Sequence, residues 1–447
     1  MSARAQAALA ALAALGPLRL GALAAALLLA AAANAVVGYL VIDGRLDGEW
    51  YDVRDLGFAV ERLRAELDAA APPALSYWVT ALVGAGAILS FLGLVLLLGG
   101  WVERRLLARF QIRRGPNRVG PFGLLQPAAD ALKLMQKEVL VPRGADRFLY
   151  VIPPVAVFIP AVLAWGPVPW APNMTYLDIN VGVLYVIAVG SLGVLALFMA
   201  GWSSNNHYAL LGAMRTVAMM VSYEIPVSLA LLSVVLMTGT LQLSEIVLWQ
   251  EQHRLWLGLL LPVALVTFFF SSTAEINRTP NDIAEAESEI VAGYHTEYSG
   301  MKAGLFIAVE LGNAVVLGAL VATMFLGGWS LFGLETWIPP YLVFAAKTGA
   351  VYFVLVWLRG TLPRFRLDQL MGFAWKYLIP ISIVNVGVVA VEAAILVRLD
   401  APAVVPLAAF TLVNLALAAA LARFAMPEPS GGPGGARPAA RPPVLTT

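Results

Sequence analysis

The sequence predicts an all-α, polytopic helical membrane protein. Three observations carry that reading. Of 447 residues, 60% are hydrophobic and only 13% charged, whereas a soluble domain carries about 25% charged residues; too few are present to coat a globule. Ten apolar runs are each long enough to cross the ~30 Å of a bilayer's hydrocarbon as a helix of ~20 residues. Lys and Arg, finally, are gathered into alternate loops. Helices are the expected solution because hydrocarbon offers no water to unpaired backbone groups, and a helix satisfies its own.

The runs fall at 20–42, 77–100, 148–166, 181–201, 216–238, 255–273, 303–327, 341–358, 377–397 and 404–425. The loop 102–147 carries ten Lys and Arg, from Arg104 to Arg147, and 359–376 adds Arg359, Arg364, Arg366 and Lys376. The loops 167–180 and 328–340, expected on the other side, carry none. Positive loops stay in the cytoplasm, so both basic blocks face inward and, with an even number of spans, both termini do too.

Composition also excludes. A net charge of +1 argues against nucleic acid as a partner, and the absence of cysteine removes disulfides, thiolate-held iron–sulfur clusters and Cys zinc sites. His207, His253 and His295 all lie outside the long apolar runs, which argues against a haem held between membrane helices. Any redox chemistry here uses a cofactor or substrate that partners supply.

Along the chain, residues 1–35 carry Arg4, an Ala/Leu run and a small-residue site at Ala33-Asn34-Ala35, the marks of a signal peptide. Arg19 interrupts that pattern and the apolar run is long, which favours a retained helix. Between 43 and 70, Leu56, Val60, Leu63 and Leu67 recur at helical spacing opposite Glu61, Arg64 and Asp68. This fits a helix lying on the membrane face or a neighbouring subunit, and equally a solvated spacer.

After the second run comes Glu103-Arg104-Arg105, then a basic segment with Arg114-Gly115-Pro116-Asn117-Arg118. Gly-Pro steps impose turns and hold these arginines on a stiff, bent backbone suited to docking. Positive-inside topology with lipid head-group contact explains the same residues. Residues 124–134 follow as an amphipathic stretch.

Three charges then interrupt apolar helices: Glu224 just before Pro226, Glu310, and Lys347. A charge at mid-helix costs ~2.5–3.5 kcal/mol on insertion scales, so it faces a polar interior and marks function; a structural Glu–Lys pair is the alternative. Glu392 in the ninth run has weaker context. Residues 275–297 hold six acids, Glu275, Asp282, Glu285, Glu287, Glu289 and Glu297, against Arg278. On a helix Asp282, Glu285 and Glu289 share one face, and acids so close disfavour full ionisation. That suits proton relay, although a solvated acidic face would read alike. The tail 427–447 is rich in Pro, Gly and Ala and is expected to be disordered.

Taken together, these segments resemble the H-subunit family of bacterial NADH:quinone oxidoreductase, respiratory complex I, over roughly 77–397. The blocks that carry the resemblance are Glu-Arg-Arg at 103–105, Arg-Gly-Pro-Asn-Arg-Val-Gly-Pro at 114–121 and Gly-Leu-Leu-Gln-Pro-Ala-Ala-Asp at 123–130. Further blocks are Gly-Trp-Ser-Ser-Asn-Asn at 201–206, Leu-Gly-Ala-Met-Arg at 211–215, Ser-Tyr-Glu at 222–224, Glu-Tyr-Ser-Gly at 297–300 and Leu-Pro-Arg-Phe-Arg-Leu-Asp-Gln at 362–369. Four segments follow: 1–76 with an extra helix and surface segment, a core at 77–397, an extra helix at 398–426, and the tail.

The resemblance implies eight core helices that wall a quinone chamber against peripheral subunits, with small membrane subunits as further neighbours, in a bacterial plasma (inner) membrane. It implies no cofactor bound by this chain alone, quinone as substrate, and iron–sulfur clusters and FMN in partners. By position, Glu103, Arg104, Asp282, Glu285, Glu287 and Glu289 match the family's quinone-chamber and coupling residues. Glu224, Glu297 and Glu310 match its buried acidic path, Lys347 a buried partner, and Arg114, Asn117, Arg118, Arg278, Arg364 and Arg366 its chamber and docking loops. Ile276 and Asn281 depart from the Thr and Phe usual in the Glu-Thr-Asn-Arg-x-Pro-Phe-Asp block, which puts quinone preference in question.

The nearest rival is the homologous membrane subunit of an energy-converting hydrogenase or ferredoxin-dependent complex, from which a different acidic loop is expected. A free-standing transporter predicts repeats and broken helices around a central site, and a structural anchor has no need of charges inside its spans.

Overall fold

The structure, a computed structural model, describes residues 73–172, 174–283, 291–332, 338–398 and 404–425, together with Ala65 and Ala69. The run at 20–42, the patterned residues Leu56 to Leu67, the tail, and Glu285, Glu287 and Glu289 lie outside the described residues. Among the described residues there is no strand.

The first helix, α1 (Pro73–Phe110), is 38 residues long, about 57 Å at 1.5 Å per residue. It therefore overshoots the hydrocarbon, and its last turns carry Glu103, Arg104, Arg105 and Arg109 beyond the apolar run. The chain then folds back through a single turn, Pro121–Gly123, into the amphipathic α2 (Gln126–Gln136). Next comes α3 (Arg147–Leu163), started by Asp146, whose carboxylate accepts from the N–H groups of Phe148 and Leu149 at 3.1 and 3.3 Å. A cap of this kind satisfies donors that have no partner within the helix. α4 (Gly182–Ser203) and α5 (His207–Thr238) follow, α5 capped by Asn206 and closed by Gly239 in the left-handed region. α5 begins nine residues before the apolar run at 216, a stretch that the run leaves out because it carries His207 and Arg215.

Two features differ from the sequence reading. The run at 255–273 is not one helix: a turn at Leu257–Leu260 is followed by α7 (Pro262–Glu275), 14 residues long. Pro262 has no N–H to give to a preceding turn but suits the first position of a new helix. The chain also forms α6 (Leu243–His253), where Glu245, Gln250 and Glu251 interrupt any apolar run.

The bundle is completed by α8 (Met301–Phe325), α9 (Pro340–Thr361), α10 (Leu367–Phe373), α11 (Ile379–Arg398) and α12 (Val404–Ala425). A π-helical turn, Ala374–Leu378, joins α10 to α11 without a break. Among the described residues, five stretches are long and apolar enough to cross a membrane by length and composition: α4, α5, α8, α9 and the continuous Leu367–Leu396. α3 and Pro406–Leu421 are shorter apolar helices. The largest core, with Phe268, Phe325, Leu257 and Met237, lies where α5, α7, α8 and α9 meet. A second, with Tyr150, Tyr294, Tyr298 and Phe306, lies between α3, α4, α5 and α8.

Candidate functional site

The basic segment is held as a unit against the end of α1. Arg104 pairs with Asp130 on α2, and Gln126 Nε2 donates to the same carboxylate at 2.9 Å. Burial raises the Asp130 pKa, but the bonds from Arg104 and Gln126 and the charges of Arg104 and Lys133 outweigh it, leaving the carboxyl below its ordinary value. The Phe122 carbonyl accepts from Trp101 Nε1 at 3.1 Å and from Arg105 at 2.8 Å. Arg114, Asn117 and Arg118, with Arg104 and Arg113, line an open groove of about 790 Å³.

Inward of this groove stands a charge cluster drawn from four distant stretches of sequence. Glu103, 6% exposed, accepts from Arg278 and Arg359 on one oxygen and from the Tyr352 phenol at 3.1 Å on the other. Arg278, equally buried, also brings its Nε within 2.9 Å of Glu310 Oε1. Burial lowers the Arg278 pKa, but Glu310 and Glu103 more than offset it, so the guanidinium is held charged. A buried cation between two carboxylates is the arrangement in which charge is tolerable in a low-dielectric site.

Asp282, 3% exposed, pairs with Arg364 at 3.1 Å, and Phe365 N–H donates to the Pro280 carbonyl at 3.0 Å. The loop after α9 is thereby clasped to the turn at 278–282. Asn281 is buried and donates to Thr273 Oγ1 at 3.3 Å, while Ile276 packs on the main core. Of the two departures from the family block, Asn281 thus lies in this turn and Ile276 against the main core.

Behind Glu310 lies a cavity of about 140 Å³ lined by α3, α4, α5, α7 and α8, into which Glu224, Glu275 and Glu310 all face together with Asn277 and Asn313. It has room for several waters. Ser191 donates to Glu224. Elsewhere, Glu297 accepts from Asn206 Nδ2 at 2.6 Å, and its carbonyl accepts from the Tyr150 phenol at 2.7 Å. Tyr298 stacks on Tyr150 with centroids 4.3 Å apart, and burial pushes its phenol up to about 12 against a weak hydrogen bond with Ser203. Burial likewise lowers the His295 pKa, and the Asp282 charge only partly restores it.

The loop bearing His295 and Glu297 rests directly on α5. A Cβ on Gly212 would stand 2.6 Å from Gly293 Cα, so only glycine permits this approach. Gly300, at φ +59°, turns the chain into α8.

The structure therefore gathers Glu103, Arg278, Glu310, Asp282 and Arg364 at one junction, with Glu224 across the cavity. Lys347 stands apart, about 18 Å along α9 from Arg359, and donates to the carbonyls of Leu326, Gly328 and Ser330 at 2.6, 3.0 and 2.6 Å. Arg366 is exposed at the start of α10, its N–H bonded to Gln369. From the sequence, Arg359 and Glu275 are named only as members of a basic block and an acidic stretch, without a site role, and Tyr352 and Asn313 are not named at all. Glu275 heads the acidic stretch and Arg359 the second basic block, so both had a signal; Tyr352 and Asn313 had none.

A model of the NADH dehydrogenase family matches residues 83–390. The NADH-quinone oxidoreductase H subunit of Dehalococcoides mccartyi (strain CBDB1) is 46% identical over 316 residues, 71% of this chain and 88% of that protein. An H subunit of the same enzyme from Geobacter metallireducens is 47% identical over 295 residues, 64% of this chain and 88% of the relative. The H subunit of Rickettsia canadensis is 47% identical over 286 residues, 63% and 84% respectively.

Proposed function

The chain belongs to the H-subunit family of NADH-quinone oxidoreductase, and from that premise we propose that it walls the quinone chamber of the complex and carries its protonic coupling. It is a membrane subunit of complex I, part of a translocase, and the hydrogenase-type alternative is not favoured. Other subunits of the complex are its partners. In our reading the electron-carrying cofactors, FMN and iron–sulfur clusters, belong to those partners, and quinone is the substrate this chain helps to hold. The basic groove at Arg104, Arg113, Arg114, Asn117 and Arg118 docks the peripheral quinone-site subunits from the cytoplasmic face of the bacterial inner membrane.

Reduction of a quinone to a quinol consumes two protons with two electrons. The residues of this chain bear on the protons. Asp282 and Arg364 close the wall of the chamber. Glu103 and Arg278 sit at its inner edge, and Arg278 reaches from Glu103 to Glu310. A change of charge at Glu103 alters the field at Glu310, because both carboxylates share one buried guanidinium. Glu310 in turn opens on the cavity with Glu275 and Glu224, where water can pass a proton between carboxyl groups. Glu285, Glu287 and Glu289 belong to the same proposal by their place in the loop, as does Glu297.

The observation that carries this reading is the bridge Glu103–Arg278–Glu310, which joins the chamber edge to the cavity acids. It is tested in membranes bearing Glu310→Gln, with assembly checked on a native gel and NADH oxidation by an artificial acceptor as control. Selective collapse of quinone-linked activity supports the reading. Full quinone-linked activity with normal assembly refutes it.

A further inference from the structure

The last helix, α12, lies beyond residue 390, where the family match ends, yet it is packed on the core. Leu407 and Phe410 join the cluster that contains Leu257, Leu260, Leu261, Ala264 and Phe268, and so cover the break at Pro262 from outside. Apolar contact alone gives a membrane helix little reason to prefer one face, since lipid tails are as apolar as leucine. Polar contacts between helices supply that preference.

One such contact is present. Asn414 on α12 donates from Nδ2 to Glu392 Oε2 on α11 at 2.9 Å, and both residues are buried, 0% and 4% exposed. α11 is itself fastened to α5, where Asn385 Nδ2 donates to Ser233 Oγ at 3.0 Å. Each member of the first pair has one acceptor left over: Glu392 Oε1 and Asn414 Oδ1 are both buried with no hydrogen-bond partner. Among the described residues no cation pairs with Glu392. An anion here would be buried in hydrocarbon with a single donor, and the amide oxygen beside it would have none. One proton on Oε1, given to Asn414 Oδ1, satisfies both oxygens at once.

We infer that Glu392 and Asn414 form a neutral carboxylic acid–amide clasp of two hydrogen bonds that pins α12 to α11 and holds it over the break at Pro262. The clasp stands on this geometry and not on the coupling role proposed above, so its test reads helix retention and not turnover.

A protease site is placed between Arg398 and Val404 of the full chain, with a tag after Thr447, in the assembled complex. After cleavage in membranes and mild detergent extraction, the share of tagged helix that stays with the complex is measured. Glu392→Leu and Asn414→Leu each lower retention roughly threefold to tenfold, the scale of an interhelical hydrogen bond in lipid. Glu392→Gln, neutral and able to exchange both bonds with an amide, retains the helix as the unaltered chain does. Loss in Glu392→Gln equal to that in Glu392→Leu overturns the neutral clasp, because the charge would then be what is needed. Unchanged retention in both leucine variants overturns the pair as the anchor. If a leucine variant does not assemble, the infrared difference between the unaltered complex and Glu392→Gln decides the matter. A lost carbonyl band of a protonated carboxyl supports the clasp, and a lost carboxylate band refutes it.

Discussion

Tyr352 donates its phenol to Glu103 across 3.1 Å of space and 249 residues of sequence. The bond places the middle of α9 against the C-terminal end of α1, beside the two arginines that share the other oxygen of Glu103.

Tyr352→Phe removes that donor and keeps the ring. A hydrogen bond to a charged group is worth ~1.5–3 kcal/mol, and Arg278 and Arg359 remain to hold the carboxylate. The expected result is an assembled complex whose quinone-linked activity is lost on heating roughly 1 °C earlier for each kcal/mol forfeited, the scale for a chain of this length. Heat-inactivation curves of variant and unaltered membranes measure it, and superimposable curves would show that the phenol contributes nothing.

Gly212→Ala places a methyl group where Gly293 now touches α5. The loop 291–300 must lift, carrying His295 and Glu297 with it. Quinone-linked activity is expected to fall about tenfold or more, equivalent to 1.4 kcal/mol of barrier, while NADH oxidation by an artificial acceptor persists. Equal loss of both would point to failed assembly instead.

Lys347→Met leaves three carbonyls after α8 without the ammonium they share. Each buried acceptor stripped of its donor costs about 1–3 kcal/mol, so the expected defect is in the amount of assembled complex on a native gel. Quinone-linked activity per assembled complex is expected to change less than twofold. A normal amount of complex with activity lost would instead put Lys347 among the coupling residues.

His295 gives a pH dependence with a definite sign. Burial holds its folded pKa below the unfolded value of about 6.5, so the unfolded loop takes up a proton first as pH falls. Stability is full above pH ~6.5 and declines as pH drops from there through the folded pKa. Hydrogen exchange over 291–300 at pH 7.5 and 5.5 measures it: exchange per intrinsic rate rises at the lower pH, and His295→Gln flattens the difference. An unaltered pH response in that variant would assign the effect to another group.

Much of the architecture was legible because span length and charge asymmetry are local properties. The apolar runs around 182, 303 and 341 became α4, α8 and α9 on that basis alone. What escaped was decided by single residues or by distance. An apolar window passes over Leu261-Pro262 unbroken, since it weighs transfer energy and not the missing N–H that ends the helix there. The junction was half legible: Glu103 and Glu310 stood out as charges at or within apolar runs, Asp282 as part of the acidic stretch, and Arg278 and Arg364 through the family resemblance. Their partner Tyr352 did not, because a tyrosine in a membrane helix looks like any other aromatic until its hydroxyl is seen to have an acceptor. Lys347 was legible as a charge, but its neighbours are backbone carbonyls, which no side-chain pattern reveals.

The broken helix α7 bears on how the complex meets an electrical load. Its 14 residues span only about 21 Å, less than the ~30 Å of hydrocarbon, and Glu275 stands at its end on the cavity it shares with Glu224 and Glu310. A polar pocket set into an insulating slab concentrates the voltage across the apolar thickness that is left. Carrying one charge through 100 mV is worth about 2.3 kcal/mol over the whole slab, so on the proton path proposed above a share of that work falls within this chain. Turnover would then slow as the membrane charges and quicken when an ionophore discharges it, with this chain as one place where the back-pressure is felt.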